Sequence, residues 1–570
     1  MSRARAAGGG AADALATVGV RRARPTADIW MFVLLTAIAV VALLLIWPLA
    51  GVLTASVTDN RTGELTLANY QQVLGFPYYL RGLRNSLIVG FGGMAGAILL
   101  GLPLAYLTTR YLIRGRDLIA TLAVLALVSP PFIGAYAWIM MLGRAGWLRA
   151  GFEALGIELP SIYGPFGILL VFSLKFYPFV FLLTAGALGA INRSLEEAAE
   201  SLGAGVWRRF LTVTLPLVFP AVTSGALLAF VLSLADFGTP SIVGGDFRVL
   251  ATMAYQLFAS EMGGNPGLAS TVSIILITVS LTVVALQRWA VRRRHVAGAL
   301  ISRPARQRLT GGRSLLAHLV CYLIVILSSL PSLVVIYTSF RKTSGPVFQP
   351  GFGLESYRRI LFEVPDVITN SFLFSLTAVA LIVVLGTLIG YLLARRENVL
   401  TGALDGTLMI PYIVPGVVLG LGFVVAFNRP PLLLTGTALI IILILFIRRL
   451  PYAVRSSTAI LRQIKGSIEE AAISLGAPPG RAFLRVTLPL MLPGVVAGAL
   501  LSFITAINEL SSTLVLYVGR TMTMPVRIYL SVLDGEFGTA AALSTILLVT
   551  TGMAVFIIFR ISENKESAFA

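Results

Sequence analysis

Few side chains of this 570-residue chain are of types that carry covalent or metal chemistry. Cys321 is the only cysteine, which excludes an internal disulfide and a thiolate metal cluster. The only histidines are His295, in a basic segment, and His318, at the start of an apolar run, so no histidine metal site is predicted. None of the four lysines follows a glycine, which excludes the G-x-x-x-x-G-K-[ST] loop that binds ATP phosphates. With no G-x-S-x-G motif either, we expect no enzyme activity and no cofactor.

The carboxylates that stand out lie in a segment that occurs twice. SLEEAAESLGAGVWRRFLTVTLPLVFPAVTSGALLAF begins at Ser194, and SIEEAAISLGAPPGRAFLRVTLPLMLPGVVAGALLSF begins at Ser467. The offset is a constant 273 residues without a gap, and 24 of the 37 pairs are identical. A weaker sequence similarity between the halves pairs Asn85-Ser86 with Asn370-Ser371. This internal similarity indicates gene duplication.

Each copy of the segment predicts a short, charged helix. Ser194 with Glu197, and Ser467 with Glu470, have the S-x-x-E spacing of a capping box. Gly203 and Gly476, six residues beyond those glutamates, suit a left-handed helix end. A helix of about two turns is not stable by its own propensity, so it must lie against other protein. A single copy could be an ordinary loop helix, but two copies favour docking elements for a two-fold partner.

The composition places these helices in a membrane protein. Apolar residues make up 57% of the chain and charged residues only 12%, and the mean hydropathy is +0.89. The net charge of +19 indicates basic loops rather than nucleic-acid binding. Twelve apolar runs are long enough to cross a bilayer as helices. They lie near residues 30–55, 86–107, 118–142, 165–190, 217–242, 268–289, 315–339, 371–394, 404–427, 432–450, 490–516 and 539–560.

Arginine bias in alternate loops predicts the topology. It places both termini and both copies of the repeated segment in the cytoplasm. Six spans per half is an even number, so the two halves are expected to be parallel repeats. The predicted regions are a cytoplasmic tail (1–29), a first half (30–290) with its motif loop (191–216), a basic linker (291–314), a second half (315–561) with its motif loop (462–489) and a C-terminal tail (562–570).

The repeated segment resembles the EAA signature of binding-protein-dependent ABC import permeases. The pattern E-A-A-x3-G-x9-V-x-L-P starts at Glu197 and again at Glu470. The resemblance implies an all-α integral membrane fold, with about twelve transmembrane helices and a MetI-like permease core in each half. It also implies two copies of a separate ABC ATPase, a periplasmic or lipoprotein substrate-binding protein, and location in the bacterial cytoplasmic (inner) membrane. Family members use the short helix to couple to the ATPase, which here implies the residues Glu196, Glu197, Ala198, Ala199, Gly203, Glu469, Glu470, Ala471, Ala472 and Gly476.

Two further carboxylates are candidates for the translocation path. Asp236 aligns with Glu509 in the repeat register, each about 20 residues beyond the T-L-P sequence. Ionisable residues inside spans are costly and are site hypotheses by default. The pair could attract a cation across the two-fold axis, or each carboxylate could be neutralised by local donors and only pack helices. Lys175 aligns with Arg448, and both are expected to snorkel or pair near the cytoplasmic side.

Prolines predict where spans bend. Pro130-Pro131 falls in the third predicted span, and Pro411 with Pro415 falls in the ninth. Kinks there could form a gate or could be helix irregularities without a gating role.

The segments around Asp236 and Glu509 look most like the ferric-iron branch of these permeases. Relatives for 2-aminoethylphosphonate, thiamine, polyamines or sulfate share parts of the pattern and remain open. An ion-coupled secondary transporter with two six-span halves is the alternative from another class. It accounts for the topology but not for the twin short helices.

Overall fold

The computed structural model describes residues 29–59, 62–144, 146–191, 194–260, 264–292 and 307–566. The predicted tail over residues 1–29, except its last residue, lies outside this part of the chain. So do most of the basic linker and the end of the C-terminal tail.

The first half is a run of helices from Ile29 to Arg292. They are α1 (Ile29–Val41), α2 (Trp47–Ser56), α3 (Ala68–Gly75), α4 (Pro77–Arg110), α5 (Arg116–Val128), α6 (Pro131–Leu142), α7 (Trp147–Ala154), α8 (Pro165–Ala190), α9 (Ser194–Ser201), α10 (Val206–Arg209), α11 (Leu215–Ala235), α12 (Gly238–Val243), α13 (Leu250–Phe258) and α14 (Pro266–Arg292). Two π-helical turns, Ala42–Ile46 and Phe210–Thr214, join α1 to α2 and α10 to α11.

The second half repeats this order and adds one β-hairpin. Its elements are α15 (Gly311–Ser339), β1 (Arg341–Ser344), β2 (Val347–Phe352), α16 (Glu355–Glu363), α17 (Pro365–Arg395), α18 (Val399–Thr407), α19 (Ile410–Ile413), α20 (Gly416–Phe427), α21 (Ala438–Gln463), α22 (Ser467–Ser474), α23 (Pro479–Ala482), α24 (Leu488–Ile507), α25 (Thr513–Leu516), α26 (Met524–Leu533) and α27 (Phe537–Glu566). The strands pair antiparallel, with Ser344 opposite Val347. A π-helical turn, Phe483–Thr487, precedes α24, and a 3-10 turn, Gly519–Thr521, precedes α26.

The membrane spans number nine to eleven in the described residues, against about twelve predicted. Nine helices are long and apolar enough to cross a bilayer, and two further pairs are bent, α5 with α6–α7 by 100° and α18–α19 with α20 by 111°. The predicted span near residues 432–450 lies in α21. This helix is long enough to cross a bilayer but carries Arg448, Arg449 and Arg455. Arginines inside a helix are not expected to face lipid, so α21 belongs in the protein interior.

Both bends occur where the prolines predicted them. Ser129 precedes Pro130 and Val414 precedes Pro415, and both preceding residues are extended, with ψ of 142° and 122°. Proline disfavours the helical conformation of the residue before it, so each helix stops there. The predicted kinks are confirmed, at equivalent positions of the two halves.

The halves have the same internal packing but exchange their first spans. In the first half α4 packs along α8 and α11, as α17 packs along α21 and α24 in the second. However, α1 packs on α17, and α2 packs on α20 as well as on α14 of its own half, whereas α15 packs on α5 and α6 as well as on α27 of its own half. Each half therefore contributes a span to the outside of the other.

Candidate functional site

The two short helices of the repeat, α9 and α22, are here called the motif helices. Both end at a glycine in the left-handed region, with φ of +80° at Gly203 and +92° at Gly476. Just beyond, the Ala204 amide donates to the Ala199 carbonyl at 3.0 Å, and the Ala477 amide donates to the Ala472 carbonyl at 3.1 Å. The predicted glycine stop is confirmed in both copies.

The predicted capping box is wrong at the second motif helix. Gly466 is the N-cap of α22, and no side chain accepts a hydrogen bond from the first turn. The Gly466 carbonyl instead accepts hydrogen bonds from the amides of Glu469 and Glu470. The helix therefore begins one residue earlier than the box requires. In the first copy Ser194 is the first described residue of α9, and the residue before it lies outside the described part of the chain, so the predicted capping box there stays a prediction.

The first glutamate of each pair is turned into the protein. Glu196 is 6% exposed and Glu469 8%. Glu196 accepts an ion-pair contact from Arg110 at the end of α4 and a hydrogen bond from Thr214, both at 2.8 Å. These contacts connect α9 to the end of α4 and to the π-helical turn that leads into α11. Glu196 therefore fixes the position of the motif helix and is not available to a partner protein.

Hydroxyl groups hold the second motif helix in place, whereas an arginine and a hydroxyl group hold the first. Glu469 accepts hydrogen bonds from the Tyr391 hydroxyl at 2.5 Å and from Thr487 at 2.8 Å. Tyr391 stacks on Trp30 of α1, with ring centroids 4.1 Å apart. The exchanged first span therefore supports the second motif helix through Tyr391.

The remaining predicted coupling residues form the outward side of each motif helix. Glu197, Ala198, Gly203 and their equivalents Glu470, Ala471 and Gly476 are exposed, whereas Ala199 and Ala472 are half-buried. Leu202 and Leu475, which precede the two glycines, are both 89% exposed. Leu195 and Ile468 are also exposed. Sequence reasoning missed this apolar contribution, although both leucines were visible in the repeat. The surface formed by these residues can take both apolar and polar contacts from a partner.

A buried polar cluster stabilises each bend. In the first half the Lys175 ammonium on α8 donates to the carbonyls of Ala126 at 2.7 Å, Leu127 at 2.6 Å and Ser129. The bend leaves these carbonyls without helical partners, and the lysine supplies the missing donors. Of the two predicted alternatives, snorkelling or pairing, Lys175 does not snorkel, since it is buried, and its partners are backbone carbonyls.

The equivalent position in the second half holds an ion-pair cluster. Arg448 and Arg449 on α21 both pair with Glu509. Glu509 also accepts hydrogen bonds from the amide of Ser512 at 3.0 Å and from its hydroxyl at 2.9 Å. A methyl group added to Gly416, where α20 begins, would lie 2.6 Å from Arg448 Nη1, so this cluster packs against the second bend.

The two candidate path carboxylates therefore have different surroundings. Asp236 is half-buried at the end of α11 and accepts a hydrogen bond from the Thr239 amide at 2.7 Å. The segments that follow the two carboxylates touch across the halves, since a methyl group added to Gly238 would lie 3.1 Å from Leu510 Cδ2. Both predicted spans end near these residues, at Ala235 and Ile507, instead of running on to residues 242 and 516.

The comparison with known families agrees with this duplicated architecture. The family described as binding-protein-dependent transport system inner membrane component matches residues 97–296 and 382–565, which is more than half of the chain. The chain belongs to this family. It is thus a multi-pass inner-membrane permease, a transport subunit and not an enzyme, and the permease of an ABC importer acts with an ATPase and a periplasmic binding protein.

Two similar ferric permeases match most of the chain, and a similar 2-aminoethylphosphonate permease matches less than half of it. The ferric transport system permease protein FbpB of Actinobacillus pleuropneumoniae is 29% identical over 92% of this chain and 77% of its own length. The putative ferric transport system permease protein FbpB 1 of Haemophilus influenzae is 28% identical over 86% of this chain and 78% of its own. The putative 2-aminoethylphosphonate transport system permease protein PhnU of Salmonella paratyphi A is 29% identical over 46% of this chain and 92% of its own.

Proposed function

We propose that the chain forms the translocation pathway of a ferric-iron importer. The observation that carries this proposal is the similarity to ferric permeases over nearly the whole fused chain, which spans both halves. The 2-aminoethylphosphonate permease matches less than half of the chain. Ferric ion is therefore the first substrate to test.

Uptake by the reconstituted transporter tests the substrate. Proteoliposomes containing the chain and its ATPase are supplied with the cognate binding protein and radioactive ferric ion. We expect ATP-dependent accumulation of iron and no accumulation of 2-aminoethylphosphonate. Accumulation of the phosphonate instead would overturn the iron assignment, and accumulation of iron without ATP would indicate an ion-coupled secondary transporter.

The motif helices are proposed as the contacts with two copies of the ATPase. Their exposed residues and their burial pattern are equivalent in the two halves, which suits a partner with two-fold symmetry. The proposed orientation places both helices and both termini in the cytoplasm, where ATP is available. In this mechanism the buried anchors Glu196 and Glu469 transmit movement of each motif helix to α4, α17 and the re-entering spans.

Leu202 and Leu475 test the docking surface. Their replacement by aspartate (L202D with L475D) is expected to reduce ATPase copurification about tenfold or more, because exposed apolar side chains that become buried at an interface each contribute about 1.5–3 kcal/mol. The measurement is the ratio of ATPase to permease after affinity purification of the permease.

Val399 provides a matched control for this surface. It is 88% exposed on α18, just beyond the end of α17, and lies outside the motif helices. The V399D variant should retain the ATPase. If wild type, V399D and L202D with L475D all copurify the same amount of ATPase, Leu202 and Leu475 are excluded from the interface.

A further inference from the structure

A large cleft lies between the halves at the end of the bundle opposite the motif helices. Its volume is about 790 Å³, within the range of about 300–1,000 Å³ typical of ligand pockets. α6 and α7 form one side, and α15 with the β-hairpin forms the other. α15 starts beside Arg114, whose carbonyl accepts a hydrogen bond from Tyr322, and its 29 residues carry it across the bundle to Ser339. The cleft therefore lies near the far membrane surface.

The cleft opens on a face of α15 that is turned away from protein. Exposed apolar residues recur at helical spacing along this span and define one stripe: Leu316, Leu319, Leu323, Ile326, Leu333 and Tyr337. In a membrane-spanning helix such a stripe faces lipid. Leu333 and Tyr337, which are 60% and 54% exposed, end the stripe and also line the cleft. A lipid chain can thus enter from the bilayer without passing through water.

The rim of the cleft combines arginines with interfacial aromatic residues. Arg144 and Arg341 both line it, and within the described residues neither has an ion pair with a carboxylate. The Arg341 guanidinium lies 5.8 Å from the centroid of the Phe352 ring. Trp147 and Tyr163 line the same cleft, and both residue types concentrate at the level of lipid headgroups.

We propose that this cleft binds an anionic phospholipid from the leaflet opposite the motif helices. An acyl chain packs against the apolar lining that includes Val334 and Phe348, and the headgroup phosphate lies between Arg144 and Arg341. Arginine suits this position because its planar fork of donors matches phosphate oxygens. The lipid bridges α6 of the first half and α15 of the second, so its binding depends on how the halves are arranged.

An acidic surface of a soluble partner protein is the competing occupant. The positive charge of the two cleft arginines would suit either the lipid or an acidic protein surface, because carboxylates and phosphates both pair with arginine. The lipid is favoured because the lining is mainly apolar and continues into the stripe of α15. A soluble protein would have to insert apolar residues at the level of the membrane surface.

Lipid retention by the purified full-length chain tests the proposal. The chain is equilibrated in mixed phosphatidylglycerol and phosphatidylcholine, extracted, and analysed by native mass spectrometry. We expect wild-type protein to retain phosphatidylglycerol, and R144Q with R341Q to retain about tenfold less, since each basic residue near a membrane surface contributes to anionic-lipid binding. The R358Q control removes an exposed arginine of α16 outside the cleft and should behave as wild type.

A second variant and a competitor separate the remaining outcomes. L333W keeps both arginines and enlarges a side chain of the apolar lining that is 60% exposed, and it should also lose the lipid at an unchanged thermal midpoint. Inorganic phosphate in large excess should not displace the lipid, because it cannot occupy the apolar part. Equal retention by wild type and the double arginine variant would overturn the proposal. Displacement of the lipid by inorganic phosphate would also overturn the proposal. So would a double arginine variant that keeps the lipid but binds the substrate-binding protein less tightly.

Discussion

Replacement of Gly203 and Gly476 together by valine is expected to reduce ATP-driven uptake about tenfold or more, because a non-glycine residue in the left-handed region costs about 1–2 kcal/mol. Both glycines end a motif helix at positive φ, and a Cβ atom added at either would meet no other atom within 4 Å. The penalty therefore comes from the backbone, which must leave the left-handed conformation and shift the exposed end of the helix. Uptake into proteoliposomes and the amount of chain in the membrane are measured together.

Gly156 is a matched control for this experiment. It has a φ of +73°, also has open space around it, and follows α7 in the part of the chain remote from the motif helices. The G156V variant carries the same kind of strain and should transport normally. Full uptake by G203V with G476V would show that the ends of the motif helices do not transmit movement.

Replacement of Glu509 by glutamine is expected to lower stability by about 3–5 kcal/mol, since loss of one partner leaves buried charges without compensation. Glu509 is 5% exposed and pairs with both Arg448 and Arg449. The measurement is the thermal midpoint of the purified chain. Replacement of the whole cluster by apolar residues (R448M, R449M and E509L) should recover much of the loss, because the uncompensated charges are then removed. An unchanged midpoint for E509Q would contradict the ion-pair cluster.

Asp236 serves as the comparison at the equivalent position. Asp236 accepts a hydrogen bond from the Thr239 amide, which an asparagine oxygen can also accept, but its charge also interacts with the buried Lys175 ammonium, so D236N is expected to lower stability by about 1–3 kcal/mol. Uptake then separates the two interpretations of this carboxylate. Reduced uptake by an equal amount of folded protein would support a place on the translocation path, and wild-type uptake would assign Asp236 to packing.

Features that depend on nearby residues were predictable from the sequence. The helix ends at Gly203 and Gly476 follow from glycine alone, and the bends at Pro130 and Pro415 follow from proline and the residue before it. The duplication predicted the equivalent internal packing of the two halves, because near-identical segments adopt the same structure. Family membership then followed from the same segment.

Features that depend on distant residues could not be predicted. Glu196 and Glu197 are neighbours with the same chemistry, and the burial of the first glutamate of each copy depends on contacts with distant residues. These are Arg110, at 86 positions from Glu196 in the first copy, and Tyr391, at 78 positions from Glu469 in the second. The partners of Lys175 could not be predicted because they are carbonyls exposed by a bend in another helix. The pairing of Glu509 with two arginines depends likewise on the packing of α24 against α21.

The exchange of first spans has a consequence for the interchange of halves between relatives. Trp30 belongs to one duplicate, but the tyrosine on which it stacks belongs to the other. A substitution at either position therefore changes a contact between the two halves. The two positions must be compatible with each other, so a half taken from one relative should combine poorly with the complementary half of another.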